Sequence, residues 1–169
     1  MFDLKPISAG AITAALAKAE RYRLLNEPSA AESICLDVLA QEPGNQAALV
    51  MLLLARTDQL GETMAAGYAR ARAVLAMLRD PCQRAYHAGV AAERRAKALA
   101  GSGGPGSGPM AYAHFREAME RYEEAERLAP PGDDDARLRW NTCARILNAD
   151  PHLRPPVAAG ESYEPALEE

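Results

Sequence analysis

Histidine and cysteine are the side chains of this sequence with the widest chemical range, and their spacing indicates no reactive or metal-binding site. No histidine has a second His, Cys or carboxylate four residues further on, the spacing at which one helix presents two ligands to a metal. No C-x-x-C pair is present, which argues against a zinc site and against a disulfide framework. We therefore expect no metal, and reduced, mostly buried thiols. The residues concerned are His87, His114, His152, Cys35, Cys82 and Cys143.

The other candidate chemical groups are a glycine-rich run and two acidic clusters. The run GSGGPGSGP at 101–109 is similar in composition to a phosphate-binding loop, but it lacks the Lys-Ser/Thr ending and follows no strand. The pair Glu123-Glu124 and the triplet 133–135 are typical of solvated or helix-capping charge. No serine or cysteine has a general base nominated by its context. The sequence therefore predicts a protein that is not an enzyme and needs no cofactor.

Charge and hydropathy argue against nucleic acid as a partner and against a segment that spans a membrane. The formal net charge of −4 argues against nucleic acid, although residues 46–100 carry a net positive charge. The longest apolar stretch, about Ala47 to Ala55, is too short to span a bilayer. The N-terminus lacks a charged start followed by a long apolar segment, so no secretory signal is predicted. We expect a soluble, cytoplasmic protein.

Helix start and stop signals divide the chain into seven helices, and no alternating apolar run predicts a strand. Ser8 is expected to cap the first helix, and Ser29 with Glu32 matches a capping box for the second. Gly61 is expected in a short turn after the third helix. The predicted helices end near Leu25, Gln41, Asp58, Arg79, Leu99, Leu128 and Leu147.

These elements predict one domain followed by a tail. Residues 1–148 are expected to form an all-α domain, with a flexible Gly/Ser/Pro loop at 101–109 because such a run holds no regular structure. Residues 149–169 contain prolines and four glutamates without a helical period, so we predict a disordered acidic tail.

Three helices share a fixed spacing of small residues before a proline. In each, the second, third and fourth members lie four, seven and twelve residues after the first. Such spacing places the first three members on one helix face, where a partner helix packs closely. The three series are Ala31, Cys35, Val38, Pro43; Ala69, Ala73, Ala76, Pro81; and Ala118, Tyr122, Ala125, Pro130.

With this spacing the sequence resembles the tetratricopeptide repeat family. FREAMERYEEAERLAP (residues 115–130) is similar to the second helix of that repeat, and so is SAAESICLDVLAQEP (residues 29–43). The middle unit is weaker, since Ala73 replaces a bulky residue, and the prolines at 43, 81 and 130 are spaced wider than the family period. The resemblance implies an antiparallel helix-pair solenoid of about three repeats. The last helix, with Leu138 and Trp140, would form a cap.

The resemblance also implies a concave groove lined by the first helix of each pair. There a peptide or amphipathic helix of another protein would dock. The carboxylate clamp that some family members use is not expected, because Glu20, Leu54 and Ala92 occupy the comparable places. The residues nominated for the groove are Leu16, Glu20, Arg23, Val50, Leu54, Thr57, Arg95, Asn141 and Arg145.

Three functional hypotheses follow from this resemblance. The first is an adaptor or scaffold subunit that binds a protein partner. The second is a dedicated chaperone for a secreted or aggregation-prone client, and the third is a regulatory sensor of a small ligand or signal peptide. Abundant Ala, Arg, Gly and Pro with few Lys favours a bacterial source.

Overall fold

The computed structural model describes residues 2–60 and 64–153, and these residues form an all-helical fold without strands. Short 3-10 helices lie at Ala9–Ala11 and Pro151–Leu153. Gly61 and residues 154–169 lie outside the described residues. The seven α-helices are α1 Ile12–Leu24, α2 Pro28–Gln41, α3 Gln46–Asp58, α4 Met64–Leu75, α5 Pro81–Ser102, α6 Ser107–Leu128 and α7 Asp135–Ala149. No described helix is both long enough and apolar enough to cross a membrane.

Side-chain caps and prolines fix where several helices begin. The side chain of Asn45 accepts a hydrogen bond from the Ala48 amide at 2.9 Å and so caps α3, and Asp80 caps α5 in the same way. The predicted capping box at Ser29 is wrong, because α2 already begins at Pro28. Glu32 instead accepts hydrogen bonds from Arg56 and Gln59 of α3.

Each helix contacts its neighbour in the chain, and the odd-numbered helices also contact one another, α1 with α3 and α3 with α5. The largest contact joins α5 and α6, where Cys82 meets Ala125 and Arg95 meets His114. Because residue numbers rise along α5 as they fall along α6, these two helices are antiparallel. Phe115 and Tyr122 of α6 are fully buried in the core between α5, α6 and α7.

The small-residue spacing predicts the buried face correctly in two of its three units. Ala31, Cys35 and Val38 are buried in α2, and Ala118, Tyr122 and Ala125 are buried in α6. In the middle unit Ala69, Ala73 and Ala76 are all exposed. The bulkier side chains of α4 and the turn after it bury more apolar area, so they take the inner face instead. Those buried residues are Tyr68, Val74 and Leu78.

Two predicted boundaries are corrected by the helices themselves. The loop expected at 101–109 narrows to 103–106, because α5 continues through Ser102 and α6 begins at Ser107. Gly103 at the end of α5 and Gly106 before the start of α6 have φ values of 62° and 75°, the left-handed conformation that glycine adopts without strain. Residues 149–153 do not belong to the predicted disordered tail, since α7 runs through Ala149 and Leu153 is buried against the core; the rest of that predicted tail lies outside the described residues.

The last helix, predicted to cap the repeats, buries its apolar residues less completely than a cap would. Trp140 packs partly against the core, and its Nε1–H donates a hydrogen bond to Glu123 Oε1 at 2.9 Å. Leu138 is 62% exposed on α7. An exposed leucine at this position leaves an apolar contact free for another molecule.

Candidate functional site

The odd-numbered helices share a face, called here the odd-helix face, that is crossed by ion pairs. Asp58 of α3 accepts a hydrogen bond from Arg23 of α1 at 2.7 Å and pairs with Arg94 of α5 at 2.6 Å. Arg94 also donates to the carbonyl oxygen of Leu54 and to the hydroxyl of Thr57. One carboxylate therefore ties three helices together.

Removal of this carboxylate gives the first testable prediction. We expect Asp58→Ala to lower the free energy of unfolding by about 1.5–3 kcal/mol, because the partly buried guanidinium of Arg94 loses its charged partner. Asp37→Ala, at a carboxylate without an ion pair among the described residues, is the control and should change stability by less than about 0.5 kcal/mol. Urea denaturation followed by circular dichroism measures both. Equal midpoints for the two variants would contradict the role of Asp58.

The next part of the face is built around a buried glutamate. Glu93 of α5 is 0% exposed, and its Oε2 accepts the Tyr122 hydroxyl proton at 2.6 Å. Its two cationic partners are Lys97 of the same helix and Arg139 of α7, whose Nη1 lies 3.3 Å from Glu93 Oε2. Burial raises the pKa of Glu93, but the hydrogen bonds from Lys97 and Tyr122 and the nearby charges outweigh burial and hold the pKa below its usual value. The carboxylate is therefore ionised and fully partnered.

Two adjoining clefts open on this side of the molecule. The first, of about 220 Å³ and called here the His87 cleft, lies between α3, α5, α6 and the start of α7. The second, of about 290 Å³, lies between α5 and α7 and is bordered by Leu138, Lys97 and Arg139. Tyr86 and Asp135 line both, so the two clefts adjoin, and together they are called here the recess.

His87 is the least exposed polar group of the first cleft, at 5%. Its Nδ1 lies 2.8 Å from the carbonyl oxygen of Gln83, which can only accept, so Nδ1 carries the proton and Nε2 presents a lone pair. Burial lowers the pKa of His87, aided by the charges of Arg139 and Arg94, although the bond to Gln83 opposes the shift. The ring is therefore neutral near pH 7.

The structure places the nine sequence-nominated residues in different environments. Arg23, Leu54 and Thr57 lie on the odd-helix face in the Asp58 network, and Val50 lines the His87 cleft. The described contacts of the remaining nominees do not join them to that network: Leu16 packs beside Ile12 and Val38, Glu20 and Arg145 are exposed, and Asn141 is half-buried.

The described contacts of Arg95 are with Tyr68 and His114, on α4 and α6. Its guanidinium lies 4.6 Å from the Tyr68 ring centroid, and its Nε donates to His114 Nε2 at 2.8 Å. Arg95 therefore packs between α4 and α6, while its neighbour Arg94 makes the contact with α3. One residue of a helix is a rotation of about 100°, enough to turn a side chain onto another face.

The arrangement offers recognition groups rather than an activated nucleophile. The Cys82 thiol lines the same cleft as His87, but burial and the charges of Asp80 and Asp133 raise its pKa, which disfavours the thiolate. Among the residues that the structure describes, no group of three His, Cys, Asp or Glu side chains could hold a metal ion. No protein-family model, curated protein or solved structure matches this chain.

Proposed function

We propose that this chain is a non-catalytic adaptor or scaffold subunit of a cytoplasmic assembly, and that the odd-helix face binds a peptide or amphipathic helix of another protein. The observation that carries the proposal is the recess of two adjoining clefts around Tyr86, with the exposed Leu138 at the border of the second cleft. An amphipathic partner helix docks by laying its apolar face against apolar side chains of the protein that binds it, and Leu138 offers such a side chain. In this proposal the helix pairs stack in the manner of tetratricopeptide repeats, a reading supported by the contacts of α1 with α3 and of α3 with α5.

The ion pairs support this proposal through rigidity. A surface that is already ordered loses little conformational entropy when a partner binds, so more of the contact energy appears as affinity. Asp58 and Glu93 hold α1, α3, α5 and α7 through their cationic partners. The side chains that border the recess are thereby presented in fixed positions.

A site-specific photocrosslinking experiment tests the proposal. A photoreactive phenylalanine analogue replaces Leu138 in one variant and Leu36 of α2, which is 47% exposed, in a matched control. We expect one protein to be crosslinked from position 138 in source cells and to be absent from the position 36 sample. Mass spectrometry identifies the protein and its crosslinked segment.

A charged substitution at Leu138 measures how much this side chain contributes to the affinity for that segment. Leu138→Asp should weaken binding of that segment by roughly tenfold or more, since an anchor of this kind contributes more than about 1.4 kcal/mol. Leu36→Asp adds the same charge on another helix and should leave affinity unchanged. In the crosslinking experiment, many unrelated proteins crosslinked from position 138 would favour the chaperone hypothesis, and no crosslinked protein would favour the small-ligand sensor. Either result overturns the adaptor proposal.

A further inference from the structure

The ion pairs of the odd-helix face hold more cations than carboxylates. Asp58 is shared by Arg23 of α1 and Arg94 of α5, whose side-chain nitrogen atoms lie 2.7 and 2.6 Å from its Oδ2 and Oδ1 atoms. One carboxylate balances the charge of only one of these two guanidinium groups. This part of the face therefore keeps one positive charge in excess.

The same ratio recurs around Glu93. Lys97 and Arg139 both contact the Oε1 atom of this one carboxylate, so the two cations are held as close neighbours. Glu93 itself is buried, whereas the side chains of Lys97 and Arg139 are 46% and 36% exposed. The surface that another molecule meets at this point is therefore positively charged.

The cations act on one another across the face. Burial lowers the pKa of Arg94, and although the carboxylates beside it oppose this shift, the charges of Arg23 and Arg139 add to it. Arg139 and Arg94 are also the charges that lower the pKa of His87. The positive charge in excess therefore extends from α1 to α7 and is not confined to separate ion pairs.

The acidic side chains at the edge of the face do not cancel this charge. Asp135 lines the second cleft but forms no ion pair with Lys97 or Arg139. It lies in the first turn of α7, where the positive end of the helix favours a carboxylate. Glu20 of α1 is exposed and has no ion pair in the described part of the chain. Since water screens an exposed carboxylate beyond ion-pair distance, Lys97 and Arg139 stay available to an anion.

We propose that the odd-helix face binds an acidic partner segment, whose glutamate or aspartate side chains lie on Lys97 and Arg139 beside an apolar side chain that contacts Leu138. Leu138 directly precedes Arg139, and both border the second cleft. This inference rests on the proposed protein-binding function and names the chemistry of the partner: an amphipathic helix with acidic residues next to its apolar face. Charge complementarity of this kind speeds association and selects one apolar helix among many.

Helical peptide probes test this without knowledge of the partner. The probe is an acetylated and amidated, alanine-rich peptide of about 18 residues, long enough to form a helix. It carries a central leucine with a glutamate one helical turn to either side. Fluorescence anisotropy with the intact protein at low salt should show binding roughly tenfold tighter than for the glutamine version, and the difference should shrink as salt is added. Equal affinity of the glutamate and glutamine peptides would overturn the proposal.

Removal of one cation locates the binding. Lys97→Met keeps much of the side-chain bulk and leaves Arg139 as the charged partner of Glu93. It should weaken binding of the glutamate peptide roughly three- to fivefold, the effect of a partly exposed ion pair. Arg116→Met removes an exposed cation of α6 that borders neither cleft, and it should change the affinity by less than about 1.5-fold. Equal losses in the two variants would show general surface charge and would overturn the assignment.

A second variant decides the matter if Lys97→Met does not fold. Thr142→Glu adds a carboxylate at the border of the second cleft and keeps every partner of Glu93. The added carboxylate competes for the two cations, so the glutamate peptide should again bind roughly three- to fivefold more weakly. Asn148→Glu adds the same charge at an exposed position of α7 outside both clefts and is the matched control. Unchanged affinity in Thr142→Glu would overturn the proposal.

The outcomes separate this inference from the proposed function. A segment crosslinked at position 138 that binds unchanged after its aspartates and glutamates become asparagines and glutamines would leave the adaptor proposal standing and overturn the acidic partner. A single-stranded oligonucleotide that binds more tightly than the glutamate peptide, and loses affinity in Thr142→Glu, would show a nucleic-acid surface and overturn both. Binding of the crosslinked segment through its acidic residues supports both.

Discussion

Replacement of Glu93 by alanine should lower the free energy of unfolding by about 3–5 kcal/mol, the range measured when one partner of a buried charge network is removed. The carboxylate is fully buried, and it accepts the Tyr122 hydroxyl proton and pairs with Lys97 and Arg139. Without it the buried hydroxyl has no acceptor, and Arg139 loses its carboxylate. Urea denaturation at pH 7, followed by circular dichroism, measures the change.

Two further variants divide this effect into its parts. Glu93→Gln keeps an oxygen for the Tyr122 hydroxyl but removes the charge, so its loss should be smaller than that of Glu93→Ala. Glu120→Ala removes an exposed carboxylate from α6 and should change stability by less than about 0.5 kcal/mol. If Glu93→Ala unfolds at the same urea concentration as Glu120→Ala, the buried network contributes nothing to the fold.

The pH dependence of stability reports on the same carboxylate. The pKa of Glu93 is lower in the folded state than its ordinary value of about 4.3, so the folded protein binds this proton less readily than the unfolded chain does. Its contribution is therefore fully present above about pH 4.3 and is lost as the pH falls through the lower folded pKa. The stability difference between the wild type and Glu93→Gln should shrink over that acidic range and stay constant from pH 5 to pH 7.

The sequence shows where Glu93 lies on its helix but not what it contacts. Gly89, Val90 and Ala96 are spaced at helical intervals around it, and the structure buries all three. A charged residue within such a stripe predicts a buried partner. The partners Tyr122 and Arg139 lie 29 and 46 residues further along the chain, and only the packing of α6 and α7 on α5 brings them together.

The same dependence on distant partners explains why the sequence nominates Arg95 for the groove although Arg94 makes the contact with α3. Two adjacent arginines are identical in type, so only the helix register can say which one faces α3. The sequence does not define this register, because alanine, abundant in this segment, is accepted on buried and exposed faces alike. The exposed Ala69, Ala73 and Ala76 of α4 show the same ambiguity. Helix number and most boundaries were predictable because prolines, glycines and caps are local signals, whereas faces depend on distant partners.

The contact between α5 and α6 at Gly89 leads to a prediction that runs against helix propensity. Alanine in place of an interior helical glycine normally stabilises a protein by about 0.5–1 kcal/mol. At Gly89 an added Cβ would lie 2.6 Å from Cε1 of Tyr122, closer than two non-bonded carbon atoms approach each other. We therefore expect Gly89→Ala to lower the free energy of unfolding by about 1–3 kcal/mol, as overpacking of a core does. Gly101→Ala, in the same helix with no atom within 4 Å of the added Cβ, should not be destabilising.

The ring of Tyr122 cannot relieve this clash, because it is fully buried and its hydroxyl is held by Glu93 at 2.6 Å. A double-mutant cycle with Tyr122→Leu tests this reason directly. The smaller side chain makes room for the added Cβ, so the loss in the double variant should be less than the sum of the two single losses. Additive losses would mean that the two helices do not approach as closely as described. Since His87 and Glu93 also lie on α5, their positions at the odd-helix face depend on that same approach.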